Sequence, residues 1–184
     1  MRLLLTGHDG YIGTVLAPIL TAAGHEVVGL DTGWFATCGF GDHPSPPPSV
    51  RRDVRDLTAA DLDGFDAVIH LANLSNDPLG NLDPGLTGRV NADASVRLGA
   101  LAREAAVGRF VFASSCSLYG AAGQDAVTEE AAFHPQTPYG QAKVDAEAGL
   151  RALATDTFSP VYLRNATVYG ASPKLRFDLV VNNL

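Results

Sequence analysis

Tyr139 and Lys143 stand four residues apart in the run Pro138-Tyr139-Gly140-Gln141-Ala142-Lys143. On a helix that spacing puts both side chains on one face. A free phenol ionises near pH ~10, too high for a base at neutrality. A neighbouring ammonium favours the phenolate and lowers that value. The pair therefore suits a tyrosine that takes a proton from a hydroxyl in one direction and returns it in the other. Tyr-x-x-x-Lys alone recurs by chance on many helices, and a third hydroxyl makes it specific. Phe112-Ala113-Ser114-Ser115-Cys116-Ser117 reads as the end of a buried strand, with Ser115 lying 24 residues before Tyr139. Ser115, in preference to Ser114 or Ser117, is expected to hold the substrate oxygen beside Tyr139. Cys116 is expected to serve packing, because no basic partner is evident near it.

A second group of residues offers a place for a dinucleotide. Thr6-Gly7-His8-Asp9-Gly10-Tyr11-Ile12-Gly13 follows an apolar strand and precedes a helical stretch. The glycines fall as G-x-x-G-x-x-G. Glycine lets the backbone approach a pyrophosphate, and a helix N-terminus offers N–H groups and a positive dipole end. Asp31 lies 18 residues after Gly13 at the end of the second strand. A carboxylate there accepts from ribose hydroxyls and repels a 2′-phosphate, which favours NAD over its phosphorylated form. Asp53 and Val54 follow the third strand, where the adenine edge would lie; the other role open to Asp53 is a plain helix cap. Leu71, Ala72 and Asn73 close the fourth strand and let a cofactor pass closely, and Lys143 can also reach the nicotinamide ribose. His70 reads as a packed structural histidine, His8 and His25 as surface residues.

These groups need elements to hold them. Strands are expected at Arg2–Thr6, Glu26–Leu30, Val50–Arg52, Ala67–Leu71, Arg109–Ala113 and Val161–Arg164. Helices are expected at Tyr11–Ala23 (weakened by Pro18), Thr58–Asp63, Pro84–Ala106 and Pro138–Ala154. Asp31–Ser49, with its proline run, and Asn73–Asp83 read as loops. Strands alternating with helices predict an α/β, three-layer Rossmann fold, a doubly wound parallel sheet with helices on both faces.

The chain has 184 residues, of which 46% are apolar and 18% charged, with a net charge of −7. That composition suits a packed α/β domain. The acidic balance argues against nucleic acid as partner. Cys38 and Cys116 are far apart and form no metal-ligand spacing, so two reduced thiols and no metal are expected. The first residues run too briefly for a leader, and no run is long enough for a membrane span. A cytoplasmic protein is the expectation.

Taken together, the motifs resemble the extended short-chain dehydrogenase/reductase family in its NAD-dependent epimerase/dehydratase branch. The pieces are Thr6-Gly7-x-x-Gly10-Tyr11-Ile12-Gly13, Asp31, Asp53-Val54-Arg55-Asp56, His70-Leu71-Ala72-Asn73, Val90-Asn91, Ser114 to Gly120, Tyr139-x-x-x-Lys143 and Leu163 to Gly170. The resemblance implies NAD as cofactor, a nucleotide-diphosphate sugar as substrate, transient oxidation of a sugar hydroxyl, and a homodimer formed through the helices of Pro84–Ala106 and Pro138–Ala154. Ser117, Asn165, Thr167 and Asn183 are the expected substrate contacts. Three departures stand out. Dehydratases of this branch carry an Asp-Glu pair where this chain has Cys116 and Ser117. The asparagine usual after strand six aligns with Thr167, Asn165 being either its substitute or a turn cap. Members also continue into a region that grips the substrate, so residues 1–172 are expected to form the NAD domain and 173–184 the start of a truncated substrate region. The alternatives are a dehydratase or carbonyl reductase of the same branch, and a non-catalytic dinucleotide-binding protein.

Overall fold

A computed structural model describes residues 1–41, 45–75, 77–120 and 127–183. His43 and Pro44 of the proline-rich loop, and Leu184, lie outside the described residues. Six parallel strands form one sheet: β1 (Arg2–Thr6), β2 (Glu26–Asp31), β3 (Ser49–Arg51), β4 (Ala67–His70), β5 (Arg109–Ser115) and β6 (Ser159–Asn165). Their order is β3-β2-β1-β4-β5-β6. Leu3, Leu4 and Leu5 are all buried, as a strand covered on both faces requires.

Alternate side chains of β1 feed two cores. Leu5 joins Val27, Ile69 and the apolar side of α1 (Gly13–Ala22). Leu4 joins Leu30, Val68, Phe110 and Phe112 against α4 (Ala94–Glu104) and α5 (Pro138–Ala152), through Leu98, Ala102, Ala146 and Leu150. Helices on both faces of a parallel sheet make the doubly wound Rossmann architecture. The strand order reverses between β1 and β4, and such a reversal opens a ligand crevice at the carboxyl ends of the strands.

The local expectations need several corrections. The segment Asn73–Asp83 is not only loop: it contains α2 (Asp77–Leu82). Pro78 and Gly80 hid it, but proline is tolerated in a first turn. Gly80 is buried, and a Cβ there would stand 3.3 Å from the Tyr139 Cβ. The single helix expected over Pro84–Ala106 is three pieces: α3 (Pro84–Gly88), a π-helical turn Arg89–Asp93, and α4. Asn91 in the wide turn is fully buried and clamps Leu74, accepting from its N–H at 2.8 Å and donating to its carbonyl at 2.9 Å. The helix expected over Thr58–Asp63 is a 3₁₀ turn, Ala59–Leu62, closed by a Thr58–Asp61 capping box. α1 begins at Gly13, since the residues before it form the glycine turn. Among the described residues no helix is long and apolar enough to cross a membrane.

Candidate active site

The glycine turn sits at the switch between β1 and β4. Gly7 has φ +74°, and a Cβ there would stand 2.8 Å from the Ala72 backbone nitrogen. Only glycine lets the end of β1 lie against the end of β4 so closely. A Cβ on Gly13 would stand 2.3 Å from the Gly7 carbonyl oxygen, so the turn folds under the first residue of α1. Gly10 donates to the Gly7 carbonyl at 3.1 Å, and α1 opens without a side-chain cap. An uncapped helix start behind a glycine turn fits a pyrophosphate. Asp31, half-buried, accepts from Gly33 N–H at 2.8 Å and Asp9 N–H at 3.3 Å, which fixes a carboxylate beside the turn. Ile12 flanks the turn. The Tyr11 side chain ties the turn to the segment after β6: its hydroxyl donates to the Gly170 carbonyl at 2.8 Å and accepts from Asn182 at 3.1 Å.

Asp53 caps the 3₁₀ turn Val54–Asp56 and pairs with Arg55 at 2.7 Å. The Arg55 guanidinium holds its carboxyl below the usual carboxylate range. The Val54 side chain belongs to the core, so only its backbone is offered to a ligand. His8 is not a surface residue. It is 8% exposed, and its ring lies where a Cβ on Gly29 would stand 2.4 Å from Cγ. The glycine in β2 makes room for an imidazole in the turn. His25 is half-buried.

His70 is structural, as expected. Ser95 donates to the Asn91 carbonyl at 2.8 Å, so it accepts from His70 Nε2–H at 2.9 Å. Nδ1 then accepts from the Thr6 hydroxyl at 2.6 Å, and Thr6 Oγ1 accepts from Ala72 N–H at 3.4 Å. Burial first, and the charge of Lys143 second, push its pKa down to about 3. This ladder and the Asn91 clamp hold the loop that carries Leu71, Ala72 and Asn73.

Asn73 receives Lys143. The ammonium donates to Asn73 Oδ1 at 2.5 Å and to the Ala113 carbonyl at 2.6 Å, and it lies 5.5 Å from the centre of the Tyr139 ring. Lys143 is 2% exposed, and burial lowers its pKa to about 7, with Glu147 acting the other way. Thr137 caps α5 through Gly140 N–H at 3.1 Å and is itself anchored to Asp77 at 2.6 Å, which sets Tyr139 in the first turn. The Ser115 hydroxyl lies near enough to Tyr139 to act on its pKa. Burial raises the tyrosine's pKa, the Ser115 hydroxyl and Arg176 pull it down, and Asp77 and Cys116 push it up. Burial is the largest of these causes, and Lys143 is not among the groups that shift the phenol.

Ser115 also donates to Ser117 Oγ at 3.1 Å. Asn165 pairs with Ser115 in the β5–β6 register, and Thr167 is exposed just beyond. Asn183 ends the 3₁₀ turn Val180–Asn183; its side chain lies outside the described part. Cys116 is exposed, so it does not serve packing. Sequence reasoning passed over Glu147 and Arg164, although a Glu four residues beyond Lys143 falls on the same helix face. It also passed over Lys174, a buried cation that donates to the carbonyls of Phe35 and Ala36 at 2.7 and 2.9 Å and lies 3.4 Å from Asp9.

Residues 3–183 match the profile of the NAD dependent epimerase/dehydratase family. The chain belongs to that family. Its cofactor is NAD, and the family's members are NAD-dependent enzymes. The chain is similar to a UDP-glucose 4-epimerase of Mycolicibacterium smegmatis, with 34% identity over 82% of this chain and 50% of that protein. It is similar to the solved structure of TunA, described as an NAD dependent NDP-hexosamine 5,6-dehydratase, with a TM-score of 0.89 and 30% identity over 100% of this chain and 59% of that one. MoeE5, solved in complex with UDP-glucose and NAD, gives a TM-score of 0.85 and 31% identity over 100% of this chain and 60% of that one. The chain thus spans about half the length of the curated relatives it matches.

Proposed function

We propose that this chain carries the cofactor-binding and catalytic residues of an NAD-dependent epimerase acting on a nucleotide-diphosphate sugar. The observation that carries this reading is that Ser115, at the carboxyl end of β5, and Tyr139, in the first turn of α5, come close at that edge of the sheet, with the Lys143 ammonium 5.5 Å from the tyrosine ring. Bound NAD supplies the hydride acceptor and, oxidised, a positive ring charge that favours phenolate. Ser115 holds the oxygen of the reacting sugar hydroxyl. Tyr139 takes that hydroxyl's proton and returns it when the opposite stereochemistry is set. Lys143 holds the nicotinamide ribose. Asp31 accepts from the adenosine ribose, the glycine turn from Gly7 to Gly13 carries the pyrophosphate, and Asp53 with the Val54 backbone flanks the adenine. Ser117, Asn165, Thr167 and Asn183 are the residues assigned to the sugar nucleotide. Residues 173–184 open a substrate-binding region, and the protein works as a cytoplasmic homodimer.

The test is the interconversion of UDP-glucose and UDP-galactose by the full-length protein. Replacing Tyr139 with Phe should cut turnover by about 10²–10⁴-fold while NAD binding stays within about twofold. Unchanged turnover would remove Tyr139 as the base. A second reading, dehydration, is favoured by the likeness to TunA. Net loss of water from the sugar would select it. The absence of a carboxyl pair at Cys116 and Ser117 speaks for epimerisation.

A further inference from the structure

Behind the reacting hydroxyls lies a charged group that the proposed reaction does not use. Glu147 stands one turn beyond Lys143 on α5 and is 1% exposed. Its carboxylate is shared by three elements. It accepts from the Ser114 hydroxyl of β5 at 2.6 Å. It accepts from Arg164 of β6 through Nη2 at 2.7 Å, with Nε at 3.1 and 3.2 Å from the two oxygens. Arg164 then donates through Nη1 to the Tyr119 hydroxyl at 2.8 Å and the Glu129 carbonyl at 2.7 Å. The neighbours of these anchors face the reaction: Ser115 follows Ser114, Asn165 follows Arg164, and the two are paired in the sheet.

We propose that Glu147 is a positioning residue for the reacting groups: by gripping Ser114 and Arg164 it fixes the end of β5, and with it the Ser115 hydroxyl, against the face of α5 that carries Tyr139 and Lys143. The proposal rests on the reading of those three as the reacting groups. A buried ion pair is a poor device for stability alone, since well-packed apolar residues of the same volume often do as well or better. What this pair adds is a fixed geometry among three elements, reached by three hydrogen-bonded contacts on one carboxylate. Its charge has a second consequence. The groups around the Lys143 ammonium are His70 of β4, held neutral, the rings of Phe112 and Tyr139, the neutral Asn73 and Ala113 acceptors, and Glu147. Glu147 is the negatively charged group among them, and its charge favours the charged lysine.

The experiment follows the Lys143 and Tyr139 titrations by NMR, in protein labelled at lysine Cε and tyrosine Cζ, alongside kinetics with UDP-glucose. Glu147→Gln leaves Arg164 unpaired in a half-dry site, so the double variant Glu147→Gln/Arg164→Met removes both charges. In the double variant the Lys143 midpoint should fall by about one pH unit, and kcat should fall about tenfold with KM nearly constant. Glu147→Asp should recover part of kcat. Ser114→Ala, which removes one hydroxyl, should raise the Tyr139 midpoint as Ser115 is loosened beside it. A merely structural anchor would lower Tm and shift Lys143 through the lost charge, but would leave the Tyr139 midpoint and kcat in place. An unchanged Tyr139 midpoint in folded Ser114→Ala, or an unchanged kcat in the folded double variant, overturns the proposal. If the wild type turns over no UDP-glucose, the epimerase reading falls, and the Tyr139 midpoint still decides the role of Glu147.

Discussion

At the scale of the residue, His70 ties the site to the stability of the protein. Its folded pKa, about 3, lies below the ordinary histidine value of 6.5. The unfolded chain therefore binds a proton that the folded one refuses between those two values. The neutral ring's contribution is fully present above pH ~6.5 and is lost as pH falls toward ~3, up to about 5 kcal/mol for this group. Urea midpoints measured from pH 8 to 4 should fall accordingly, and His70→Asn should flatten that part of the slope. An unaltered slope would mean that His70 titrates normally. The structural role of His70 was legible in the sequence, because it ends an apolar strand. His8 was not: a histidine between glycines looks exposed, and only the missing Cβ of Gly29, one strand away, makes room for it.

At the scale of the element, that His8–Gly29 contact joins the glycine turn to β2. Gly29→Ala places a methyl group into a buried imidazole and should cost about 1–3 kcal/mol. In a His8→Ala background the same change should cost less than about 0.5 kcal/mol. Chemical denaturation of the four proteins checks this, and an equal cost in both backgrounds would show that the ring is free to move aside. The strands were legible to within a residue or two, since β1, β4 and β5 are apolar runs bounded by turn residues. The breaks in the helical stretch from Pro84 to Ala106 were not. Its apolar spacing continues through the π-helical turn, which follows Asn91 reaching for Leu74 across the chain. α2 escaped for a related reason: its Gly80 lies against Tyr139, a contact across the chain that helix propensity does not record.

At the scale of the whole molecule, the segment after β6 returns across the mouth of the cofactor crevice. Lys174 grips the loop after β2 and Asp9, Ser172 meets Tyr11 and Thr14, and Asn182 meets Tyr11. The loop after β2, the glycine turn and the segment after β6 are thus tied to one another. Replacing Lys174 with Met leaves two carbonyls and Asp9 without their cation. NAD should then dissociate faster, by about tenfold if one charge-assisted contact is lost. Stopped-flow displacement of NAD measures this rate, and a wild-type rate would show that the strap does not govern retention. At the far end of the sheet, Val161 and Leu163 of β6 stand exposed.

What the sequence determined by itself was the candidate residues and the frame that holds them. A glycine turn between strand and helix, a carboxylate at the end of β2, and a serine before a Tyr-x-x-x-Lys helix are local patterns, and the alternation of apolar strands with helices leaves few ways to assemble them. The tertiary structure decided how the charges are balanced. Whether Lys143 is surrounded by water or by Phe112, Asn73 and Ala113, whether Tyr139 meets Ser115, and whether Glu147 finds Arg164 depend on residues brought together from separate strands and helices. Desolvation and pairing act through space, and no spacing along the chain records them.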